Sequence, residues 1–86
     1  MANQQELETA LLAFVKENIV SSEVELRADT VLRDVGIDSY SVIEMVLFLE
    51  RKYGITLPEE KLLPENLASV QMLARCAAEH SANRDR

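Results

Sequence analysis

The sequence predicts an all-α domain: a small four-helix bundle of three longer helices and one short helix, with a long loop between helices one and two. Three observations carry this. Apolar residues recur at helical spacing in three separate segments. Gly and Pro occur only twice each, too few for the many tight turns of a β-sandwich. No stretch alternates apolar and polar residues as a half-buried strand would.

The first helix is expected over about 4–19. Asn3 with Glu6 three residues on is an N-terminal capping pattern. Leu7, Leu11, Phe14, Val15 and Ile19 then share one face. Residues 20–35 break the period. Ser21, Ser22, Asp29 and Asp34 interrupt it, and Val24, Leu26, Leu32 and Val35 are scattered. This reads as a long ordered loop tied to the core by those apolar side chains, and loops of that length in small domains are usually functional or connect antiparallel elements.

The second helix runs from about Ser39 to Tyr53, before Gly54, a good C-cap residue. Val42, Met45, Val46, Leu49 and Tyr53 form its most apolar stripe, and Tyr40, Ile43, Leu47 and Arg51 a second row. A helix this apolar around its circumference is central to a bundle or covered by something else. Pro58, Glu59 and Glu60 suit the start of a short helix, with Leu62 and Leu63 facing inward and Pro64 ending it. Ser69 is placed to cap the last helix, about 70–80, whose core face is Val70, Leu73, Ala74 and Ala77. The 86 residues make a single domain with its core at about 4–80 and a polar tail, 81–86, expected to fray.

Composition excludes several functions. Hydrophobic residues make up 48% of the chain, too many for a disordered tail. The net charge of −6 repels phosphate backbones, so nucleic acid is not an expected partner. Residues 1–60 hold twelve acids against five bases, and 61–86 three against four. No apolar run approaches the ~18 residues needed to span a bilayer, and the N-terminus lacks the basic region of a signal peptide. Cys76 is alone, so it forms no intramolecular disulfide. A cytoplasmic setting is expected. Neither Cys76 nor His80 belongs to a nucleophilic arrangement, and no Gly-rich phosphate loop is present. The acids at 23, 25, 29 and 34 do not have the spacing of an EF-hand loop, so no metal site is expected. The chain is not expected to be an enzyme.

The stretch Gly36-Ile37-Asp38-Ser39-Tyr40-Ser41 carries the functional signal. It sets a serine hydroxyl at a helix N-terminus, where backbone N–H groups and the dipole favour an anion. Such a serine can cap the helix or carry a covalently attached phosphate. Ser41 with Glu44 is a second capping pattern, which would start the helix two residues later.

With Val42-Ile43-Glu44, Leu49-Glu50, Gly54-Ile55-Thr56-Leu57-Pro58 and Ser69-Val70, this stretch resembles the acyl and peptidyl carrier protein family over about 5–80. The resemblance implies that a phosphopantetheinyl transferase, with Mg²⁺ and coenzyme A, attaches 4′-phosphopantetheine to Ser39. Asp38 would support that modification. The arm's thiol would carry cargo as a thioester to acyl-loading, ketosynthase or acyltransferase-type enzymes. The expected function is a free-standing, monomeric acyl carrier that catalyses nothing and is not inserted in a membrane.

Tyr40, Ile43, Glu44 and Leu47 are candidate docking residues for those enzymes; the alternative for Tyr40, Ile43 and Leu47 is packing against the loop, and it weighs as much as docking only for Ile43. Val42, Leu49, Leu57, Leu67 and Leu73 are core residues that could also line an acyl-chain cleft. Arg51 and Lys52 make the end of the second helix nearly neutral, where fatty-acid-type carriers are conspicuously acidic. That departure points to a specialised fatty acid, lipid or polyketide pathway. Two alternatives stay open: an aminoacyl or peptidyl carrier, and an unmodified helical interaction module.

Overall fold

The computed structural model describes residues 3–19 and 25–84. Three α-helices form its frame: α1 (Gln4–Asn18), α2 (Ser39–Tyr53) and α3 (Val70–Arg84). Two short 3₁₀ turns lie between them, Leu32–Val35 and Glu59–Lys61, and no strand occurs among the described residues.

Each helix starts on a side-chain cap. Asn3 accepts a hydrogen bond from the Glu6 N–H at 2.8 Å, and the Ser69 hydroxyl accepts one from Met72 N–H at 3.2 Å. These groups satisfy donors that a helix leaves unpaired in its first turn. Helix α2 ends at Gly54, whose φ of 68° is left-handed, and its N–H returns to the Glu50 carbonyl at 2.9 Å. That conformation is why the stop falls on a glycine.

Helix α1 lays Leu7, Leu11 and Val15 fully into the core and packs more extensively on α3 than on α2. From α2 come Val42, Met45, Val46 and Leu49, and from α3 Val70, Leu73, Ala74, Cys76 and Ala77. Complete burial of each Leu removes enough apolar surface to contribute ~1.5–3 kcal/mol. Phe14 of α1 stacks on Phe48 of α2 with ring centroids 4.6 Å apart. Leu26 and Leu32 bury the loop's inner side, as the scattered apolar residues suggest, and Ile37 beyond the loop is buried with them. Ser21, Ser22 and Val24 lie outside the described residues.

Two expectations need correction, and a third loses a detail. The short fourth helix is a single 3₁₀ turn, so the bundle has three α-helices. Lys61 N–H bonds the Pro58 carbonyl, an i to i+3 link. Pro64 disfavours the α conformation at the residue before it, so a regular helix cannot be continued there. Leu63, expected inward, is 43% exposed, whereas Leu62 packs partly against the core. The last helix does not fray at Ser81 but continues to Arg84. Polar composition alone does not end a helix, and no Gly or Pro follows Ala77 to stop it. Residues 85 and 86 lie outside the described residues.

Candidate functional site

The approach to α2 is built residue by residue. After the first 3₁₀ turn, Gly36 takes φ 85°, which a side chain would strain. Its N–H and that of Ile37 turn back onto the Arg33 and Leu32 carbonyls at 3.2 and 3.1 Å. Ile37 then enters the core and anchors the chain. Asp38, in extended conformation, is the N-cap of α2. Its Oδ1 accepts the Ser41 N–H at 2.9 Å, and its carbonyl accepts the Val42 N–H at 3.1 Å. The Ser41 backbone and hydroxyl donors hold the Asp38 carboxyl below its ordinary pKa.

This geometry removes the capping role from both serines. Capping belongs to Asp38, and the helix starts at Ser39, not at Ser41. Ser39 is the first helical residue, exposed, with no hydrogen bond to its hydroxyl among the described residues. The N–H groups of Ser39 and Tyr40 have no acceptor within the helix. The hydroxyl is therefore free, beside two donors suited to an anion.

A cleft of about 680 Å³ opens beside Ser39. Leu32 and Ile37 line it from the loop, Val42 and Ile43 from α2, and Leu62 and Leu67 from the segment before α3. Arg33, Asp38 and Glu65 add charge to the lining. Its two walls are tied by backbone hydrogen bonds of 2.8 Å, Leu32 N–H to Ala68 O and Gln71 N–H to Ala28 O.

Of the five candidate cleft residues, Val42 and Leu67 line it, while Leu49, Leu57 and Leu73 are core residues outside its lining. The loop residues Leu32 and Ile37 and the wall residue Leu62 take their place. Sequence carried a signal for two of them: Leu32 is one of the apolar residues scattered through the loop, and Leu62 is expected to face inward.

Tyr40, Ile43 and Leu47 are 71%, 42% and 44% exposed, and Glu44 is half-buried beside them. The row thus starts one residue after Ser39 and follows the outer face of α2. The charges of α2 are balanced, Glu44 and Glu50 against Arg51 and Lys52, and the Lys52 ammonium lies 5.9 Å from the ring centroids of Phe48 and Tyr53.

A second cleft, about 340 Å³, lies between Lys61, Asn66 and one face of α3, and shares no lining residue with the first. Its Cys76 thiol is raised in pKa by burial and is a poor nucleophile. Among the described residues no cluster of three or more His, Cys, Asp or Glu could hold a metal, and no helix is long and apolar enough to cross a membrane.

A free hydroxyl, open N–H donors and an adjoining apolar cleft fit a group joined through phosphate and carrying an extended arm. The comparisons agree. Residues 10–77 match the family model described as a phosphopantetheine attachment site. The acyl carrier protein of Helicobacter acinonychis (strain Sheeba) is 41% identical over 44 residues, 51% of this chain and 55% of that protein. The chain therefore spans about half the length of that relative. Aminoacyl carrier protein 2 of Bradyrhizobium diazoefficiens is 26% identical over 72 residues, 84% of this chain and 79% of that protein. The crystal structure of the Bradyrhizobium japonicum glycine:[carrier protein] ligase complexed with glycylated carrier protein contains a chain of the same fold. The TM-score is 0.66 at 23% identity, over 85% of this chain and 96% of that one. The matched family binds 4′-phosphopantetheine covalently, and this chain belongs to it, among the acyl and aminoacyl carrier proteins.

Proposed function

We propose that this chain is an acyl carrier, with 4′-phosphopantetheine joined to Ser39. One observation carries the reading: Asp38 does the capping, which leaves the Ser39 hydroxyl unbonded and exposed at the mouth of an apolar cleft. When attached, the arm supplies a thiol that holds cargo as a thioester. The chain itself does three things. It presents the hydroxyl to a phosphopantetheinyl transferase, offers the phosphodiester two backbone N–H donors, and exposes Tyr40, Ile43 and Leu47, beside Glu44, for partner enzymes. It catalyses nothing.

Acyl cargo is favoured over aminoacyl cargo by the cleft. A hydrocarbon chain entering between Leu32, Val42 and Leu67 gains ~0.8 kcal/mol per buried CH₂. An ammonium group finds two carboxylates on the lining, Asp38 and Glu65, but Arg33 on the same lining repels it and the remaining surface is largely apolar and does not solvate it. The balanced charge of α2 supports a specialised fatty acid, lipid or polyketide pathway in the cytoplasm, with docking through apolar contact. The aminoacyl reading has its own support in the likeness to the Bradyrhizobium aminoacyl carrier over most of both chains.

Intact-protein mass after incubation with coenzyme A, Mg²⁺ and a broad-specificity phosphopantetheinyl transferase tests the attachment. A gain of one phosphopantetheine in wild type and Ser41→Ala, absent in Ser39→Ala, is expected. Loss in Ser41→Ala alone would move the anchor. No gain in folded wild type would favour an unmodified interaction module. Loading by acyl-specific against amino-acid-specific ligases then separates the two cargo classes.

A further inference from the structure

Three charged side chains border the cleft beside Ser39, and Arg33 is the only cation among them. Arg33 projects from the first 3₁₀ turn and is exposed. It makes no ion pair with Asp38 or Glu65, the carboxylates of the same cleft; the salt bridge among the described residues is Arg75–Glu79, elsewhere on α3. The Asp38 Oδ1 is already engaged by the Ser41 N–H. The structure thus holds an unpaired guanidinium on the lining that it shares with the free Ser39 hydroxyl.

Modification adds a charge there. A phosphodiester on Ser39 would be the third anionic group of a lining that already carries two carboxylates. The open N–H groups of Ser39 and Tyr40 offset part of it. We propose that the Arg33 guanidinium is the counter-charge of that phosphodiester and holds the root of the arm against the first 3₁₀ turn. This rests on Ser39 being the attachment point. A guanidinium suits the task because its planar fork can donate two parallel hydrogen bonds to two phosphate oxygens. Arg33 acts through the arm's position and is a positioning residue. Its side chain has no bond to lose, so its replacement leaves the fold intact.

The test uses holo protein of wild type, Arg33→Gln and Arg33→Lys, with the arm on each verified by intact mass. Two signals are read by NMR: the ³¹P resonance of the phosphodiester and the Nε–Hε cross-peak of Arg33. Conversion of apo to holo wild type should shift the Nε–Hε peak. The ³¹P resonance of Arg33→Gln should be displaced and narrowed relative to wild type, with Arg33→Lys between them. Raising salt from about 0.01 M to about 1 M shortens the screening length from ~30 Å to ~3 Å and should move wild type toward Arg33→Gln. An Nε–Hε peak that ignores the arm, or a ³¹P resonance identical in wild type and Arg33→Gln, would overturn the proposal. Failure of the attachment reading shows separately and earlier, as no mass gain in wild type, and would overturn the role of Arg33 with it.

Discussion

Replacing Ser39 with alanine separates the two things a serine can do at this position. If Ser39 were the N-cap of α2, its loss would cost ~1 kcal/mol. For a domain of this size that lowers Tm by ~4–8 °C. The structure assigns the cap to Asp38, whose Oδ1 holds the Ser41 N–H at 2.9 Å, and gives the Ser39 hydroxyl no partner. Alanine at the first helical residue removes no hydrogen bond and has the higher helix propensity, a gain of at most ~0.5 kcal/mol. Apo Ser39→Ala should therefore melt at the wild-type temperature or up to ~4 °C above it, since ~1 kcal/mol corresponds to ~4–8 °C. Asp38→Ala should melt lower than either. Circular dichroism melts of the three apo proteins, with intact masses after transferase treatment, give the full comparison. The expected Ser39→Ala protein is stable and never gains the arm. A Ser39→Ala melt lowered by ~4–8 °C would refute the capping assignment, and arm attachment to that variant would refute the anchor.

Three further outcomes are expected. Asp38 titrates below its unfolded value of 3.8 because Ser41 donates to the carboxylate. Its contribution to stability is present above pH 3.8 and lost as pH falls through the lower folded pKa, so acid melts of wild type should converge on those of Asp38→Asn only below about pH 4; a constant gap down the whole range would contradict the hydrogen bond. Gly54→Ala forces φ 68° on a residue with a Cβ, which meets no atom within 4 Å. The cost is backbone alone, ~1–2 kcal/mol, and an unchanged Tm would show that the α2 terminus is not left-handed. The Cys76 thiol is buried and raised in pKa, chiefly by desolvation, so stability is fully present below its unfolded value of 9.0 and declines as pH rises past it. In holo protein a thiol reagent at neutral pH should therefore label the arm first and Cys76 only on unfolding, and equal labelling rates in native protein would place Cys76 at the surface.

Local signals read well because they depend on neighbours in sequence. Asn3 and Ser69 cap the helices they precede, Gly54 ends α2, and the buried stripe of α2 holds Val42, Met45, Val46 and Leu49 as its period indicates. What failed depends on contacts between distant segments. Leu63 looked inward by its apolar character, but the 3₁₀ turn rotates it to solvent while Leu62 goes in. Leu49, Leu57 and Leu73 are in the core, as expected, but they do not also line the cleft. The cleft walls are joined by the bonds Leu32–Ala68 and Gln71–Ala28, which span more than thirty residues of sequence, and no periodicity encodes such pairings. The end of α3 was misjudged for a different reason: polarity marks exposure, and an exposed helix is still a helix.

The order Asp38-Ser39 has a physical consequence that neither residue has alone. An N-cap residue accepts a hydrogen bond from two or three residues ahead, so its side chain is committed. The residue after it is helical, and its side chain stands outside the ring of backbone bonds. With aspartate first, the committed group is a carboxylate, which tolerates desolvation poorly and stays in water at the exposed cap. The hydroxyl, the only one of the two that can form a phosphodiester, is released. With the order reversed, the cap would tie up the serine and the carboxylate would stand where the anion goes. The pair therefore settles stability and chemical availability at the same helix terminus. It does so without a strained backbone, since among the described residues positive φ values occur only at Gly36 and Gly54.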